Sequence, residues 1–305
     1  MTLAGAITER KEDCLDKKDL KANTAFNVYK GWLIPYLIVG DYIFNNGRWV
    51  WWLKCIMDRH IPNVKLPQIC FDSCGRSPKA LEARKNIEKC IDYLAYRTST
   101  WDSLTIFMDW MLWGLGNSKA EFPKIDEEHH MWLYKNFNIG LLLQAPHDYW
   151  GDIIAERKGN GSWNPTAFYP TPENVVSMMH QMVSGDGGEK GIFKTVIDPA
   201  LGTGRMLMYA SNESIFLYGT DIDPVVIRAA NINLNLYAPW GAFAIEPQEE
   251  QPYYSIPESL IPIAEARFVV AAQMYGETLG MRKPGIQEEE RVVFEEEGAL
   301  QSVLF

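Results

Sequence analysis

Apolar residues recur at two different spacings along this chain, and the change of spacing falls near residue 160. Before it, apolar positions repeat every three or four residues between glycine and proline breaks, a pattern typical of packed α-helices. After it, two short apolar runs at residues 193–197 and 215–218 are each followed by a segment with helical spacing. Alternation of short strands with helices indicates parallel β-α-β units. The pattern therefore predicts a mainly helical first part followed by an α/β part.

Residues that cap helices mark where several of the predicted helices begin. A serine, threonine or aspartate offers a side-chain oxygen to the free N–H groups of the first turn, and proline fits that turn because it has no N–H. These signals predict helix starts at Ser77-Pro78, at Ser99 or Thr100, at Asp126, at Thr171-Pro172 and at Asp223-Pro224. In the helix after Pro172, the spacing predicts that four apolar side chains face inward: Val175, Val176, Met179 and Val183.

The 305 residues are enough for two domains. We expect a mainly helical, aromatic-rich domain at residues 1–150, a linker rich in glycine and asparagine at 151–164, and an α/β domain at 165–305 built on a Rossmann-like, doubly wound parallel sheet. Ten of the eleven tryptophans precede residue 165. Tryptophans at this density form a helical core more often than base-stacking surfaces, and both interpretations stay open.

The ends of the two predicted strands carry the clearest chemical signal. Asp198 and Asp221 come at these ends, where ligands bind in open α/β sheets. Between them, Gly202 and Gly204 leave no side chain between the backbone and a ligand, and they permit positive φ. An acid about 20 residues after a glycine loop is placed to accept hydrogen bonds from ribose hydroxyls. The pattern predicts a ligand that contains a nucleoside.

The residues around the glycine loop favour a ligand with an amino group over a dinucleotide. A dinucleotide fingerprint needs a third glycine, and Leu207 stands at that position. Asp198 would also repel a pyrophosphate. S-adenosylmethionine has a ribose and an amino group and no phosphate, so we expect it to be the cofactor. A nicotinamide or flavin cofactor is the alternative, because strand, glycine turn and helix also occur in those enzymes.

Three segments resemble motifs of known methyltransferases. The segment DPALGTGRML at 198–207 resembles the first motif of S-adenosylmethionine-dependent methyltransferases. The segment GTDIDPVVIRAANINLNLYA at 219–238 resembles the next two motifs of adenine-specific DNA methyltransferases. Upstream, FYPTPENVVSMM at 168–179 resembles the Phe-x-Thr-Pro segment in the modification subunits of type I restriction systems.

This resemblance implies eight cofactor-binding residues: Phe168, Thr171, Pro172, Asp198, Gly202, Gly204, Asp221 and Ile222. The three residues before the first strand would border the methionine end of the cofactor. The first acid would bind its amino group and the second its ribose, and the isoleucine would contact one face of the adenine.

The sequence departs from that family at the motif that carries catalysis. An adenine methyltransferase must hold the amino group of an extruded base. The family uses Asn or Asp followed by Pro-Pro and an aromatic residue, and this sequence contains no Pro-Pro. The best match is a predicted strand at 267–277, in which the four motif positions hold Ala272, Gln273, Met274 and Tyr275. Tyr275 has a ring that can stack on a base, but Ala272 has no oxygen to accept the amine hydrogens, so methyl transfer stays open.

Charge is divided unequally between the two parts. Residues 1–164 contain 21 Lys+Arg against 20 Asp+Glu, whereas residues 165–305 contain 8 against 19. Residues 48–97, with 10 against 5, form the most basic region. Because lysine and arginine neutralise phosphates, we expect any DNA contact to lie in residues 48–97. The acidic runs at 288–290 and 295–297 are expected to be solvated or to bind a basic partner, and a protein partner or self-association is a further expectation.

The cysteines and the first residues suggest a reducing compartment. The five cysteines are an odd number without a secretory signal, so we expect a cytoplasmic protein with free thiols. No apolar run is long enough to cross a bilayer, so no membrane partner is expected. Cys70 and Cys74, with Cys55 and Cys90 on either side, could be arranged as a zinc site; we expect buried thiols and no metal.

These observations are consistent with three functions. The first is an S-adenosylmethionine-binding protein of the adenine DNA methyltransferase type with weak or lost transfer. The second is a non-catalytic regulatory or scaffold protein that binds a partner or nucleic acid. The third is an enzyme that methylates protein, RNA or a small molecule with another acceptor geometry. The intact glycine loop favours cofactor binding, and Ala272 favours lost transfer, so enzymatic activity is uncertain.

Overall fold

A computed structural model describes residues 30–72, 74–95, 100–159, 168–183 and 188–275. The helices before residue 160 are α1 (Ile34–Phe44), α2 (Arg48–Met57), α3 (Pro78–Ala95), α4 (Thr100–Gly114), α5 (Glu127–Asn136), α6 (Ile139–Gln144) and α7 (Tyr149–Gly159). The later elements are α8 (Glu173–Val183), a 3-10 helix (Gly188–Phe193), β1 (Thr195–Asp198), α9 (Arg205–Ala210), β2 (Phe216–Gly219), α10 (Pro224–Tyr237), α11 (Pro239–Ala242), β3 (Glu246–Pro247), β4 (Tyr254–Ser255) and α12 (Leu260–Tyr275). None of the helices in these ranges is long and apolar enough to span a membrane.

The predicted helix starts are confirmed at three N-caps. At the starts of α3, α5 and α10, a side-chain oxygen of Ser77, Asp126 or Asp223 accepts a hydrogen bond from a backbone N–H two or three residues later, over 2.8–3.2 Å. Each bond satisfies a donor that the helix itself leaves unpaired. The helix predicted at Thr100 begins there and ends at Gly114.

The prediction of a Rossmann-like sheet domain is wrong. β1 and β2 do form a parallel pair with α9 between them, from Thr195 opposite Phe216 to Asp198 opposite Gly219. β3 and β4 form a separate antiparallel pair, and within the described ranges no further strand joins either pair. The predicted β-α-β unit is therefore present, but helices and not a doubly wound sheet make up most of the described structure.

The segment predicted to supply a further strand, residues 267–277, is helical as far as Tyr275, where the described structure ends. The buried side chains of α12 are Ala264, Ala271 and Ala272, which lie seven and eight residues apart, as on one face of an α-helix. This face packs on α1 and α2. A short apolar run cannot be assigned to strand or helix from its pattern alone, and here the apolar residues at 260–264 extend the run to helical length.

The described tryptophans confirm the core interpretation. Five are fully buried: Trp49, Trp52, Trp110, Trp150 and Trp240. The indole N–H of Trp49 donates to the carbonyl of Asn235, and that of Trp52 donates to the carbonyl of Phe243, both over 2.8 Å. Because these rings are enclosed by protein, they are not available to stack on bases.

Arg48 connects the first and second parts of the chain inside one buried core. Its guanidinium is fully buried and donates to the carbonyl of Tyr237 over 2.6 Å and to the carbonyl and hydroxyl of Ser211. It also lies 4.3 Å from the centre of the Trp240 ring. These bonds join α2 to the ends of α9 and α10.

Residues 151–159 of the predicted linker lie in α7. Ile153 and Ile154 of this helix are buried in the same core as the side chains of the second part. Residues 160–164 lie outside the described ranges.

Helix α8 is only partly oriented as predicted. Val176 is fully buried, in agreement with the prediction, and Val175 is half-buried. Met179 is 42% exposed, so the prediction that it faces inward is wrong. The side chain of Val183 lies outside the described ranges.

The described cysteines form no disulfide and lie in two environments. Cys55 and Cys90 are buried, as predicted, whereas Cys70 and Cys74 are exposed, so the prediction that these two are buried is wrong. Burial raises the pKa of the Cys55 thiol to about 12. In the part of the chain that the structure describes, no group of three or more His, Cys, Asp and Glu side chains is arranged to hold a metal ion. Cys14 lies outside that part.

Candidate ligand-binding site

The β1–α9–β2 unit positions a glycine loop at the ends of both parallel strands. Gly202 and Gly204 have φ of 53° and 80°, the left-handed region that side chains disfavour. The N–H of Thr220 donates to the carbonyl of Asp198 over 3.1 Å, and the N–H of Leu201 donates to the carbonyl of Thr220 over 2.9 Å. These bonds fix the loop after β1 against the loop after β2.

The glycine loop forms one wall of an open cleft of about 370 Å³. The other walls are the segment before α8 and the residues that follow β2. Six of the eight predicted cofactor-binding residues line it: Phe168, Thr171, Asp198, Gly202, Asp221 and Ile222. Pro172 and Gly204 do not, and a Cβ on Gly204 would instead lie 3.3 Å from the Cβ of Ala230 in α10.

Backbone N–H groups hold the carboxylates of the cleft in place. Asp221 accepts hydrogen bonds from Gly202 over 2.8 Å and from Asp223 over 2.9 Å, one on each carboxylate oxygen. Asp198 accepts one from Ala200 over 3.1 Å. A carboxylate has about four acceptor positions, so both side chains can still accept hydrogen bonds from a ligand.

The rim of the cleft is apolar and exposed. The side chains of Ile222 and Tyr169 are 84% and 82% exposed, and both line the cleft. Phe168 is buried beneath it, 3.3 Å from where a Cβ on Gly202 would lie. Exposed apolar groups beside a cleft offer contact surface to a planar ring.

A buried polar network behind the glycine loop was missed by sequence reasoning. Its centre is Asp148, which comes directly before α7 and is fully buried. The carboxylate of Asp148 accepts hydrogen bonds from four groups, which are the Thr203 hydroxyl at 2.5 Å, the Arg205 guanidinium at 2.9 Å, the Asn233 amide at 2.8 Å and the Gly151 N–H at 2.9 Å. Two of these donors, Thr203 and Arg205, also line the cleft.

Arg205 is neutralised inside this network. Besides Asp148, its guanidinium donates to Asp152 over 2.9 Å and to the carbonyl of Thr171 over 2.8 Å. Glu173 lies 3.9 Å away. Burial would lower the pKa of Arg205, but the charges of the three acids raise it, so the side chain remains a cation whose charge is balanced by the protein.

His147 bridges two acids of the network. Its Nε2 lies 2.8 Å from Asp152, and its Nδ1 lies 3.0 Å from Glu173 and 2.8 Å from the carbonyl of Asp72. Burial lowers the pKa of His147, but the hydrogen bonds and charges of Asp152 and Glu173 outweigh it and raise the pKa to about 10. Acceptors on both ring nitrogens fit an imidazolium that donates on both sides.

We expect the fold to become less stable at alkaline pH, because His147 loses the proton that its two acidic partners stabilise. The folded-state pKa of about 10 lies above the ordinary value of 6.5, so the stabilisation is complete below pH 6.5 and is lost as pH rises towards 10. The loss amounts to several kcal/mol at most, since each unit of pKa difference corresponds to about 1.4 kcal/mol. Urea unfolding across this range should show the advantage over His147→Gln shrinking as pH rises; a constant difference would contradict this.

Of the four candidate catalytic positions, the structure describes the side chains of Ala272 and Gln273. Ala272 is buried on the face of α12 that packs on α1 and α2, and neither Ala272 nor Gln273 lines the cleft. The side chains of Met274 and Tyr275 lie outside the described ranges. The strand that would have placed these residues beside the cofactor is the one that the structure replaces with a helix.

Several cations of the basic region 48–97 already have partners. Arg48 is buried, and Arg84 bonds Glu88 and Glu156. Arg59 bonds Glu258 over 2.8 Å. The exposed cations of this region include Lys65, Arg76, Lys79 and Lys85.

Comparison of the chain with protein-family models, with curated proteins and with solved structures finds no match. The ligand that the cleft could bind is therefore inferred from the residues of the cleft alone.

Proposed function

We propose that this chain is an S-adenosylmethionine-binding protein and that the cleft beside the glycine loop is its cofactor site. The observation that carries the proposal is the position of Asp198 and Asp221 in one cleft, together with Gly202. Segments that resemble three methyltransferase motifs supply these residues. Asp198 is suited to the amino group of the cofactor and Asp221 to the ribose hydroxyls.

The charge of the cleft supports a ligand with an amino group and without phosphate. Asp198, Asp221 and Asp223 all line it. Arg205, which also lines it, already bonds Asp148 and Asp152 and has little capacity to bind an anion. A phosphate group would therefore meet net negative charge, which argues against nicotinamide and flavin dinucleotides.

The size and rim of the cleft fit the adenosyl group. A volume of about 370 Å³ is within the usual range for small-molecule sites. Ile222 and Tyr169 provide exposed apolar surface for the adenine ring.

The residues at the family's catalytic motif favour a protein that binds S-adenosylmethionine but transfers its methyl group inefficiently or not at all. The acceptor position of the family motif corresponds to Ala272, which has no hydrogen-bonding side chain and is buried on α12. The same observation favours a second candidate, a regulatory or scaffold protein that contacts a partner or DNA. In that case exposed lysines and arginines of residues 48–97 would contact the DNA backbone.

Calorimetric titration of the full chain with S-adenosylmethionine tests the proposal. We expect saturable binding, and we expect Asp198→Ala and Asp221→Ala each to raise the Kd at least about tenfold, because hydrogen bonds to charged groups contribute roughly 1.5–3 kcal/mol. Glu82→Ala, which removes an exposed acid of α3 outside the cleft, is the matched control and should bind like the unaltered protein.

Two outcomes would contradict the cofactor site. Absence of binding by a folded protein would leave the scaffold function as the better account of the chain. Equal affinity of the two aspartate variants and the control would place the cofactor elsewhere.

A further inference from the structure

Helix α8 carries an exposed apolar stripe, here called the methionine face, which consists of Val175, Met178, Met179 and Met182. These residues have the spacing i, i+3, i+4, i+7, so they lie along one side of the helix. Met182 is 78% exposed, Met178 54% and Met179 42%. Methionine is common on surfaces that bind other chains, because its flexible side chain adapts to its partner.

The opposite side of α8 is fixed against the protein. Val176 is fully buried, and Glu173 is buried and accepts a hydrogen bond from the Tyr209 hydroxyl over 3.2 Å. His180 lies 3.1 Å from Glu213. Since these contacts set the rotation of the helix, the methionine face is held towards solvent.

The area of the methionine face is small for a dimer. Four partly exposed side chains present on the order of 300 Å², comparable to the largest apolar patch of many monomers. A stable interface between two proteins needs about 800 Å² per partner. A segment of the same chain needs less area, because its covalent connection gives it an effective concentration of the order of mM.

Residues 299–305, which lie outside the described ranges, are mostly apolar and could therefore cover the apolar methionine face. Their sequence is ALQSVLF, and the apolar residues Ala299, Leu300, Val303 and Leu304 are spaced as on one side of a helix. Residues 276–298 connect this segment to the end of α12. At about 3.3 Å per residue this connection spans up to about 75 Å, more than the roughly 50 Å diameter of a folded chain of this length.

We propose that residues 299–305 bind to the methionine face of α8 in the same molecule. This interaction would cover the exposed methionines with Leu300, Val303 and Leu304, and the acidic runs at 288–290 and 295–297 would lie in the solvated connection. It does not depend on the cofactor proposal.

Oxidation of methionine by hydrogen peroxide tests this proposal, because a covered thioether reacts more slowly than an exposed one. The full chain is compared with the variant Leu300→Asp/Leu304→Asp, and oxidation of each methionine is followed by peptide mass spectrometry. We expect Met178 and Met182 to react at least about twofold faster in the variant, since a site with a Kd of the order of mM would be half filled in the unaltered chain. Met108, which is fully buried, should react equally slowly in both.

A matched control separates apolar contact from added charge. Gln301→Glu/Ser302→Asp adds two negative charges to the same segment but leaves its apolar residues in place, and it should react like the unaltered chain. Equal rates for Met178 and Met182 in all three proteins would overturn the proposal. Protection that increases with protein concentration would also overturn it and would identify a second copy as the partner.

Discussion

Replacement of Arg48 by alanine is expected to lower the free energy of unfolding by about 3–5 kcal/mol. The guanidinium is fully buried and donates to the carbonyl of Tyr237 and to two oxygens of Ser211. Its removal would leave these oxygens without a donor and would open a cavity against the Trp240 ring, 4.3 Å away. Urea unfolding followed by tryptophan fluorescence measures the loss.

Two further variants define the cause of this loss. Arg59→Ala removes an arginine that is 61% exposed and bonded to Glu258, and it should cost at most about 1 kcal/mol. Arg48→Lys keeps the charge but lacks the planar guanidinium that reaches several oxygens. Its loss of unfolding free energy should therefore lie between that of Arg59→Ala and that of Arg48→Ala. A loss below about 1 kcal/mol for Arg48→Ala would mean that the hydrogen bonds of Arg48 contribute little to holding the two parts together.

The elements around the glycine loop could be predicted because their signals are local. β1, the loop, α9 and β2 occupy residues 195–219, and each has its own apolar run, glycine or turn. The same holds for the helices that begin at Ser77, Asp126 and Asp223, since an N-cap bonds to a backbone group two or three residues away. Six predicted residues consequently meet in one cleft.

The sheet was predicted wrongly because its extent depends on distant pairing. The run RFVVAA at 267–272 has the valines that strands favour, but helix α12 buries Ala264, Ala271 and Ala272 against α1 and α2. That contact joins residues about 200 positions apart, and no local pattern records it. Ala272 and Gln273 do not line the cleft for the same reason, because their placement there required the missing strand.

The polar network behind the cleft could not be predicted from spacing either. Asp148 is 55 residues from Thr203, 57 from Arg205 and 85 from Asn233. One signal was present: Asp148 directly before α7 and Asp152 within it stand four residues apart beside buried apolar residues of α7, and a buried acid needs a partner. The identity of that partner is set only by the packing of α7 on the glycine loop.

Replacement of Asp148 by alanine should be about as damaging to stability as loss of Arg48 and should also weaken the cleft. Removing one partner of a buried ion pair typically costs about 3–5 kcal/mol. The side chain of Asp148 is fully buried, and the Thr203 hydroxyl, the Asn233 amide and the Gly151 N–H would all lose an acceptor. Urea unfolding measures this loss.

Asp109→Ala is the matched control for this substitution. It also removes an aspartate bonded to an arginine, Arg228, over 2.7 Å, but both side chains are about one-third exposed. Its cost should stay at about 0–1 kcal/mol. The contrast between the two aspartates measures what burial and the further bonds to Thr203, Asn233 and Gly151 add to an aspartate–arginine pair.

Titration with S-adenosylmethionine, at a temperature where Asp148→Ala remains folded, shows whether Asp148 also affects ligand binding in the cleft, apart from its effect on the stability of the fold. Thr203 and Arg205 both line the cleft and both depend on Asp148, so a loosened loop should raise the Kd. Asp109→Ala should bind as the unaltered protein does. An Asp148→Ala variant that loses stability but keeps its affinity would show that the glycine loop is held by Asp221 and the two strands, without help from α7.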